Sequence, residues 1–312
     1  MSLAFVFPGQ GSQSVGMLGD LAQQYSVVND TFMEAADALS VPLWDIVCNG
    51  PEEQLNQTQT TQPAMLAAGV AVWRVWQQRG GAKPELMAGH SLGEYTALVC
   101  ADALGFVDAV KLVADRARFM QEAVPVGQGT MAAIIGLEDD AVQTLCKDNA
   151  QSQVLEPVNF NSPGQVVIAG NSEAVNRAVE NARAAGAKRA LLLPVSVPSH
   201  CALMQPAAEK MAQRLQDVAI QAPTIPVIHN SHVKSEAEAD AIRSALVQQI
   251  KAPVRWAGTI QAMAAMGVDF VIEAGPGKVL SGLNRRIDKQ LKTQPVFDTK
   301  TLEQGLEQLV TS

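Results

Sequence analysis

The stretch of this chain best suited to chemistry is Met87-Ala88-Gly89-His90-Ser91-Leu92-Gly93-Glu94-Tyr95, where a serine has a glycine two residues away on either side. That spacing is the one a hydroxyl nucleophile needs on a sharp strand-to-helix turn. The strained, crowded backbone demands small neighbours and lifts the hydroxyl into the open. The N–H of Leu92 then points into the same space and can donate to an oxyanion. The following helix adds its positive end. The same residues also suit a plain glycine-rich turn, in which Ser91 caps a helix and Glu94, three residues on, completes a capping box. An apolar strand pattern before the serine (86–88) and a helical one after it (95–100) supply the context that favours the nucleophile.

A serine nucleophile needs a general base, and the chain has four histidines. His90 adjoins the serine, so its side chain leaves the turn in another direction. His229 and His232 lie in Val-Ile-His-Asn-Ser-His, at a strand end. His200 follows Leu-Leu-Leu-Pro-Val-Ser-Val-Pro-Ser and precedes an apolar helical pattern. It therefore sits at a strand-to-helix junction, where parallel α/β folds place ligands. His200 is the favoured base, with His229 the alternative and a capping or core role open for either. The order Ser, acid, late His of an α/β-hydrolase fits poorly, since no histidine follows His232.

Residues 106–124 read as an amphipathic helix. Lys111, Asp115, Arg118 and Glu122 form its solvated charged stripe. Arg116 is off that stripe, among Leu112, Phe119, Met120 and Ala123. An arginine on an apolar face must find an anion. A nearby Asp or Glu is one candidate. A substrate carboxylate gripped by the guanidinium fork is the other.

Two glycine-rich loops remain. Phe-Pro-Gly-Gln-Gly-Ser-Gln-Ser-Val-Gly has the spacing G-x-G-x-x-x-x-G, which is not the dinucleotide fingerprint. It can instead present the backbone N–H of Gln10 as a second oxyanion donor. Glu-Ala-Gly-Pro-Gly-Lys lacks the spacing and the Ser/Thr of a phosphate loop, and reads either as a site wall or as a strand-end turn.

The elements that must position these residues alternate strand and helix. Strands are expected at 3–7, 86–88, 227–229 and 270–273, and a helix at 62–78 with Pro63 in its first turn. This argues for a parallel α/β sheet. The middle departs from the rhythm, with strands at 130–136, 154–159, 165–169 and 188–193 and helices at 138–149 and 172–185. That order is βαββαβ, the ferredoxin-like pattern. The expected fold is a large α/β-hydrolase-like core with a parallel sheet (1–124 and 198–312) carrying an inserted small ferredoxin-like subdomain (125–197). The polar tail after about residue 291 is expected to be a loosely held terminal helix.

A chain of 312 residues, 47% hydrophobic and 17% charged, reads as a soluble globular protein with a large core. A net charge of −8 argues against nucleic acid as the main partner. The four cysteines, Cys48, Cys100, Cys146 and Cys201, form no CxxC pair, so neither a zinc nor a disulfide framework is expected and a reduced cytoplasmic setting fits. The N-terminus reads as a first core strand rather than a signal peptide, and no apolar run is long enough to span a bilayer.

Taken together, Phe-Pro-Gly-Gln-Gly-Ser-Gln, Thr-Gln-Pro-Ala, Gly-His-Ser-Leu-Gly-Glu-Tyr, the helix carrying Arg116, Asn-Phe-Asn-Ser-Pro-Gly-Gln-Val-Val-Ile-Ala-Gly, Ser-Val-Pro-Ser-His, Gln-Gln-Ile-Lys-Ala-Pro-Val-Arg-Trp and Glu-Ala-Gly-Pro-Gly-Lys-Val-Leu-Ser-Gly-Leu resemble the malonyl-CoA:acyl carrier protein transacylases of bacterial fatty acid synthesis. The resemblance extends to the acyltransferase domains of polyketide synthases and covers nearly the whole chain, leaving the tail after about residue 293 without a motif. It implies that Ser91 attacks the thioester of malonyl-CoA with His200 as base. The N–H groups of Gln10 and Leu92 would hold the oxyanion, and Arg116 would clamp the free malonyl carboxylate. The family orients its histidine through the backbone carbonyl at the position of Gln249. The malonyl group would then pass to the phosphopantetheine thiol of holo acyl carrier protein, a transient partner. The aliphatic Leu92 and Val-Pro-Ser-His look like the malonyl-selective, stand-alone enzyme. No metal or bound cofactor is implied, and nothing demands more than a monomer.

Three alternatives stay open at this stage. A serine thioesterase or esterase would use the same nucleophile with water as acceptor. A binding module would use the inserted unit as a docking surface. A polyketide-pathway acyltransferase would differ in its carrier. For an acidic carrier the basic clusters are Lys278, Arg285 and Arg286, and Lys188 with Arg189; plain solvated surface is the other reading of each.

Overall fold

The computed structural model describes residues 2–195 and 197–310. Ser196, which opens the Ser-Val-Pro-Ser-His motif, lies outside the described residues. Among the described residues nine strands form two sheets: β1 (Leu3–Phe7), β2 (Leu86–Gly89), β3 (Gly129–Ile135), β4 (Leu155–Ser162), β5 (Gln165–Asn171), β6 (Arg189–Leu192), β7 (Val227–Ile228), β8 (Phe270–Ala274) and β9 (Lys292–Val296). The larger sheet is parallel, in the order β7-β2-β1-β8-β9.

Every residue of β1 is buried, as expected of a central parallel strand covered on both faces. The alternation of a strand divides its side chains between two cores. Leu3, Phe5 and Phe7 face the large helical cluster, and Ala4 and Val6 face a second cluster built on Trp256 and Ile260. The Phe5 ring meets Trp73 and Trp76 edge-on, with centroids 5.1 and 5.2 Å away.

Both tryptophans belong to the helix Thr58–Gln78, buried along most of its length. It starts four residues before the expected helix, so Pro63 lies inside it rather than in its first turn. The run Thr58-Gln59-Thr60-Thr61-Gln62 is its opening. Thr58 and Gln62 are buried because the hydrogen bonds of a polar pocket satisfy them, and Thr61 because its hydroxyl donates to the Leu55 and Gln57 carbonyls.

The C-terminal expectation is corrected. The segment after 291 is not a loose tail: β9 pairs with β8 from Phe270 opposite Lys292 to Ala274 opposite Val296. The helix Thr299–Val310 then buries Leu302. A polar Lys-Thr-Gln-Pro-Val strand is tolerated because it is an edge, where Pro295 withholds no needed ladder bond.

The second sheet is antiparallel, in the order β4-β5-β3-β6. With the helices Asp139–Ala150 and Ser172–Ala182 on one face it has the ferredoxin-like arrangement. Val166 and Ile168 point to those helices, while Val167 and Ala169 on the opposite face join Met131, Val158 and Cys201. The larger unit is stitched to this sheet where the Val254 N–H donates to the Val158 carbonyl (2.8 Å) and Phe160 N–H donates to the Val254 carbonyl (2.9 Å). Among the described residues no helix is long and apolar enough to cross a membrane.

Candidate active site

Strand β2 ends at Gly89 and the helix Gly93–Cys100 follows, so Ser91 stands on the turn between them with a left-handed φ of 51°. The turn is too tight for side chains on either flank. A Cβ on Gly89 would lie 1.8 Å from the carbonyl carbon of Gly93, and one on Gly93 would lie 2.1 Å from the Phe7 oxygen. The capping-box reading fails here. Glu94 turns inward, accepting from the Asn230 N–H at 2.8 Å and meeting His229 Nδ1 at 2.8 Å. Asn230 braces the turn from both sides: its Oδ1 accepts from the Ser91 N–H (2.8 Å) and its Nδ2 donates to the Gly89 carbonyl (2.7 Å).

His200 and Ser91 are 109 residues apart in the chain, yet His200 Nε2 lies 2.8 Å from Ser91 Oγ. His200 Nδ1 lies 2.7 Å from the Gln249 carbonyl oxygen. A carbonyl only accepts, so the proton is on Nδ1 and the Nε2 lone pair faces the serine hydroxyl. His200 also has a left-handed φ, 66°. Burial pushes the imidazole pKa down to about 3, and the Arg116 charge adds to the fall. The Gln249 carbonyl pulls the other way, and His90 lowers it slightly further. The ring is therefore neutral at ordinary pH. His229 is engaged with Glu94 and His90 Nε2 with Asn161 Oδ1 at 2.8 Å, which leaves His200 as the histidine hydrogen-bonded to Ser91.

Arg116 is 1% exposed on the helix Phe106–Ala123. It donates to Gln62 Oε1 (2.7 Å), Gln249 Oε1 (3.0 Å) and Ser91 Oγ (3.2 Å), and its guanidinium carbon lies 5.4 Å from the centre of the Tyr95 ring. Among the described residues no Asp or Glu forms an ion pair with it. The Asp-or-Glu alternative is thus not realised. By contrast the stripe on the same helix is paired at the surface, Arg118 with Asp115 and Glu122, and Lys210 with Glu122.

Gln249 is placed at the centre of this group. Besides orienting His200 and receiving Arg116, its Nε2 donates to the Ser91 carbonyl at 2.8 Å. Gln10 and Leu92 line the same cavity of about 120 Å³ as Ser91, His200 and Arg116. Among the described residues neither backbone N–H is taken by a carbonyl. Gly9 brings Gln10 close, since a Cβ there would sit 2.5 Å from the His90 oxygen. The later glycine loop, with φ of 138° at Gly275 and 81° at Gly277, leads into Val279, Leu280 and Leu283. These wall a neighbouring cavity of about 480 Å³ that shares Gln10, His90 and Val195 with the first. Among the described residues no cluster of three His, Cys, Asp or Glu side chains is placed to hold a metal ion.

Asn230, Glu94, Gln62 and Thr58 belong to the site but escape the sequence reading. Their only signals are Asn230 following a strand end in Val-Ile-His-Asn and Gln62 within Thr-Gln-Pro-Ala.

The acyl transferase domain family matches residues 4–299. The malonyl CoA-acyl carrier protein transacylase of Salmonella typhimurium is 57% identical over 305 residues, covering 98% of this chain and 99% of that one. The crystal structure of an acyl carrier protein S-malonyltransferase from Vibrio cholerae superposes with a TM-score of 0.95 at 56% identity, over 97% of this chain and 99% of that one. A malonyl-transacylase solved in complex with a type II PKS acyl-carrier protein gives 0.98 at 56% identity, over 99% of this chain and 100% of that one.

Proposed function

The chain belongs to the acyl transferase family, and on that premise we propose that it carries a malonyl group from malonyl-CoA to an acyl carrier protein through Ser91. The observation that carries this reading is the buried Arg116, without a carboxylate partner among the described residues and 3.2 Å from Ser91 Oγ. A buried guanidinium without a counter-ion is costly. An acyl group with a free carboxylate supplies the missing charge at the point where the serine needs it.

The first half-reaction follows from the contacts. Ser91 Oγ attacks the thioester carbonyl while its proton passes to His200 Nε2. The N–H groups of Gln10 and Leu92 hold the oxyanion. Such a donor contributes about 2.7–4 kcal/mol elsewhere. Collapse breaks the C–S bond, and the coenzyme A sulfur leaves with the proton from His200. In the second half-reaction the phosphopantetheine thiol gives its proton to His200 and attacks the malonyl-serine, and Ser91 Oγ leaves and recovers the proton. The Gln249 carbonyl keeps His200 in one tautomer throughout. Malonyl-CoA and holo carrier protein are substrates, and the reaction as written needs no cofactor.

The same reading takes residues 125–197 as an inserted subdomain on a core of 1–124 and 198–312, supported by the two separate sheets. The cavity of about 480 Å³ walled by Asn161, Val167 and Leu283 suits the arm of either thiol. For the carrier itself, Arg286 donates to Gln165 Oε1 at 2.7 Å, and Gln165 and Arg189 both pair with Ile135 from opposite sides of β3. The two basic clusters thus flank one end of the antiparallel sheet, which suits an acidic partner. The four cysteines are free, in keeping with a cytoplasmic setting for both substrates. A steady-state test is direct: initial rates with malonyl-CoA and holo carrier varied together give parallel double-reciprocal lines for this mechanism. Intersecting lines mean that both substrates must bind at once, and rule out the free malonyl-serine.

A further inference from the structure

We propose that Thr58 and Gln62 form a polar relay that couples the carboxylate clamp to the oxyanion loop, so that a free carboxylate on the acyl group speeds transfer as well as strengthening binding. The proposal rests on the malonyl-transfer reading above. The contacts run in one unbroken line. Arg116 Nη1 donates to Gln62 Oε1 (2.7 Å), Gln62 Nε2 to Thr58 Oγ1 (3.0 Å), and Thr58 Oγ1 to Gln10 Oε1 (3.1 Å).

The direction of this line is not free. A guanidinium only donates, so the Gln62 oxygen must face it and the amide NH₂ must face Thr58. Thr58 therefore accepts from Gln62, and its own hydrogen is left for Gln10. One charge at Arg116 sets the orientation of three neutral groups, and each bond polarises the next. Thr58 and Gln62 are four residues apart on one helix face, buried at 8% and 2% exposure. The far end of the line is different: Gln10 and Gly11 are exposed. That loop also has an anchor independent of Arg116. Gly11 N–H donates to Gln13 Oε1 (2.7 Å), and Gln13 Nε2 donates to Asn56 Oδ1 (2.8 Å).

The consequence is a division of labour. The Asn56 anchor keeps the loop in place, and the Thr58 relay sets where the Gln10 N–H points according to what occupies Arg116. When a carboxylate immobilises the guanidinium, the relay is held from its buried end and the oxyanion donor is fixed. Thr58 and Gln62 act through Gln10 and Arg116, as positioning residues.

The test is single-turnover acylation of Ser91, followed by quenched mass spectrometry, with malonyl-CoA and acetyl-CoA on wild type, Thr58→Val and Thr58→Ser. Valine matches threonine in shape and lacks the hydroxyl; serine keeps it. Losing one such bond is expected to lower the malonyl-to-acetyl ratio of saturating rate constants about tenfold. The malonyl-CoA concentration for half-saturation stays as in wild type, and serine restores the ratio. Equal falls with both thioesters would show that Thr58 holds the loop without coupling it, and would overturn the proposal. So would an unchanged ratio, or a change confined to half-saturation. Wild type that takes no malonyl group at all would instead refute the malonyl-transfer reading, a distinguishable failure.

Discussion

Arg116 and Ser91 share a hydrogen bond, 3.2 Å from Nη2 to Oγ, although the guanidinium is buried and among the described residues no Asp or Glu pairs with it. A positive charge beside a nucleophile disfavours protonation of the nearby imidazole, and His200 is depressed partly for that reason. In the mechanism proposed above the same charge receives the free carboxylate of the acyl group, so that one residue contributes both to the neutral state of the base, after burial, and to the choice of substrate.

Removing that charge separates the substrates. Arg116→Ala is expected to lose acylation by malonyl-CoA at a cost of about 2–5 kcal/mol, the range for a broken buried charge pair. Acetyl-CoA, which has no carboxylate, should lose much less. Comparing kcat/KM for the two thioesters checks this, and equal losses would remove the clamp from the account.

The depressed imidazole makes stability depend on pH in a stated direction. In the folded chain His200 stays neutral down to about pH 3, whereas an unfolded histidine takes up a proton near 6.5. Between these values the unfolded state binds the additional proton. Its contribution to stability therefore rises with pH across that window and is lost as pH falls. Urea unfolding between pH 7 and pH 4 should show a steeper loss for wild type than for His200→Gln; parallel curves would contradict the burial argument.

Asn230 is expected to matter for reactivity out of proportion to its distance from substrate. Asn230→Ala leaves the Ser91 N–H and the Gly89 carbonyl without their partner, at about 1–3 kcal/mol for each buried group. Labelling of Ser91 by a fluorophosphonate should slow at least tenfold, by about one power of ten per 1.4 kcal/mol. Unchanged labelling in a folded variant would mean that the glycines alone hold the turn.

For carrier recognition, charge reversal at Arg285 and Arg286 should raise the carrier's KM and leave Ser91 acylation as it was. Arg286→Glu is the cleaner variant, because Arg286 donates to the Gln165 side chain whereas Arg285 donates to the Thr293 backbone carbonyl at 3.2 Å. A fall in both half-reactions would make the cluster structural.

What the sequence disclosed follows from how each residue works. Ser91, Gly89 and Gly93 were legible because a tight turn forces its residue types locally, and Arg116 because one charge interrupts an apolar helical face. His200 could be narrowed to a strand-to-helix junction. Its contact with Ser91 spans 109 residues, and no local pattern carries that. Asn230 and Glu94 were illegible because they bind backbone atoms more than 130 residues away. Thr58 falls outside the helix expected from residue 62, and neither it nor Gln62 stands out as a site residue, because a helix end buried against a polar site lacks the usual apolar stripe. The edge strand β9 failed for a related reason: paired on one side only, it needs little apolar character.

The central claim is a malonyl group held covalently on Ser91, and the most direct measurement is intact mass after brief exposure to malonyl-CoA, beside a Ser91→Ala control. The account predicts a gain of one malonyl group in wild type, no gain in the variant, and discharge when holo acyl carrier protein is added. A gain that persists in Ser91→Ala, or one that water discharges as fast as the carrier does, would contradict it.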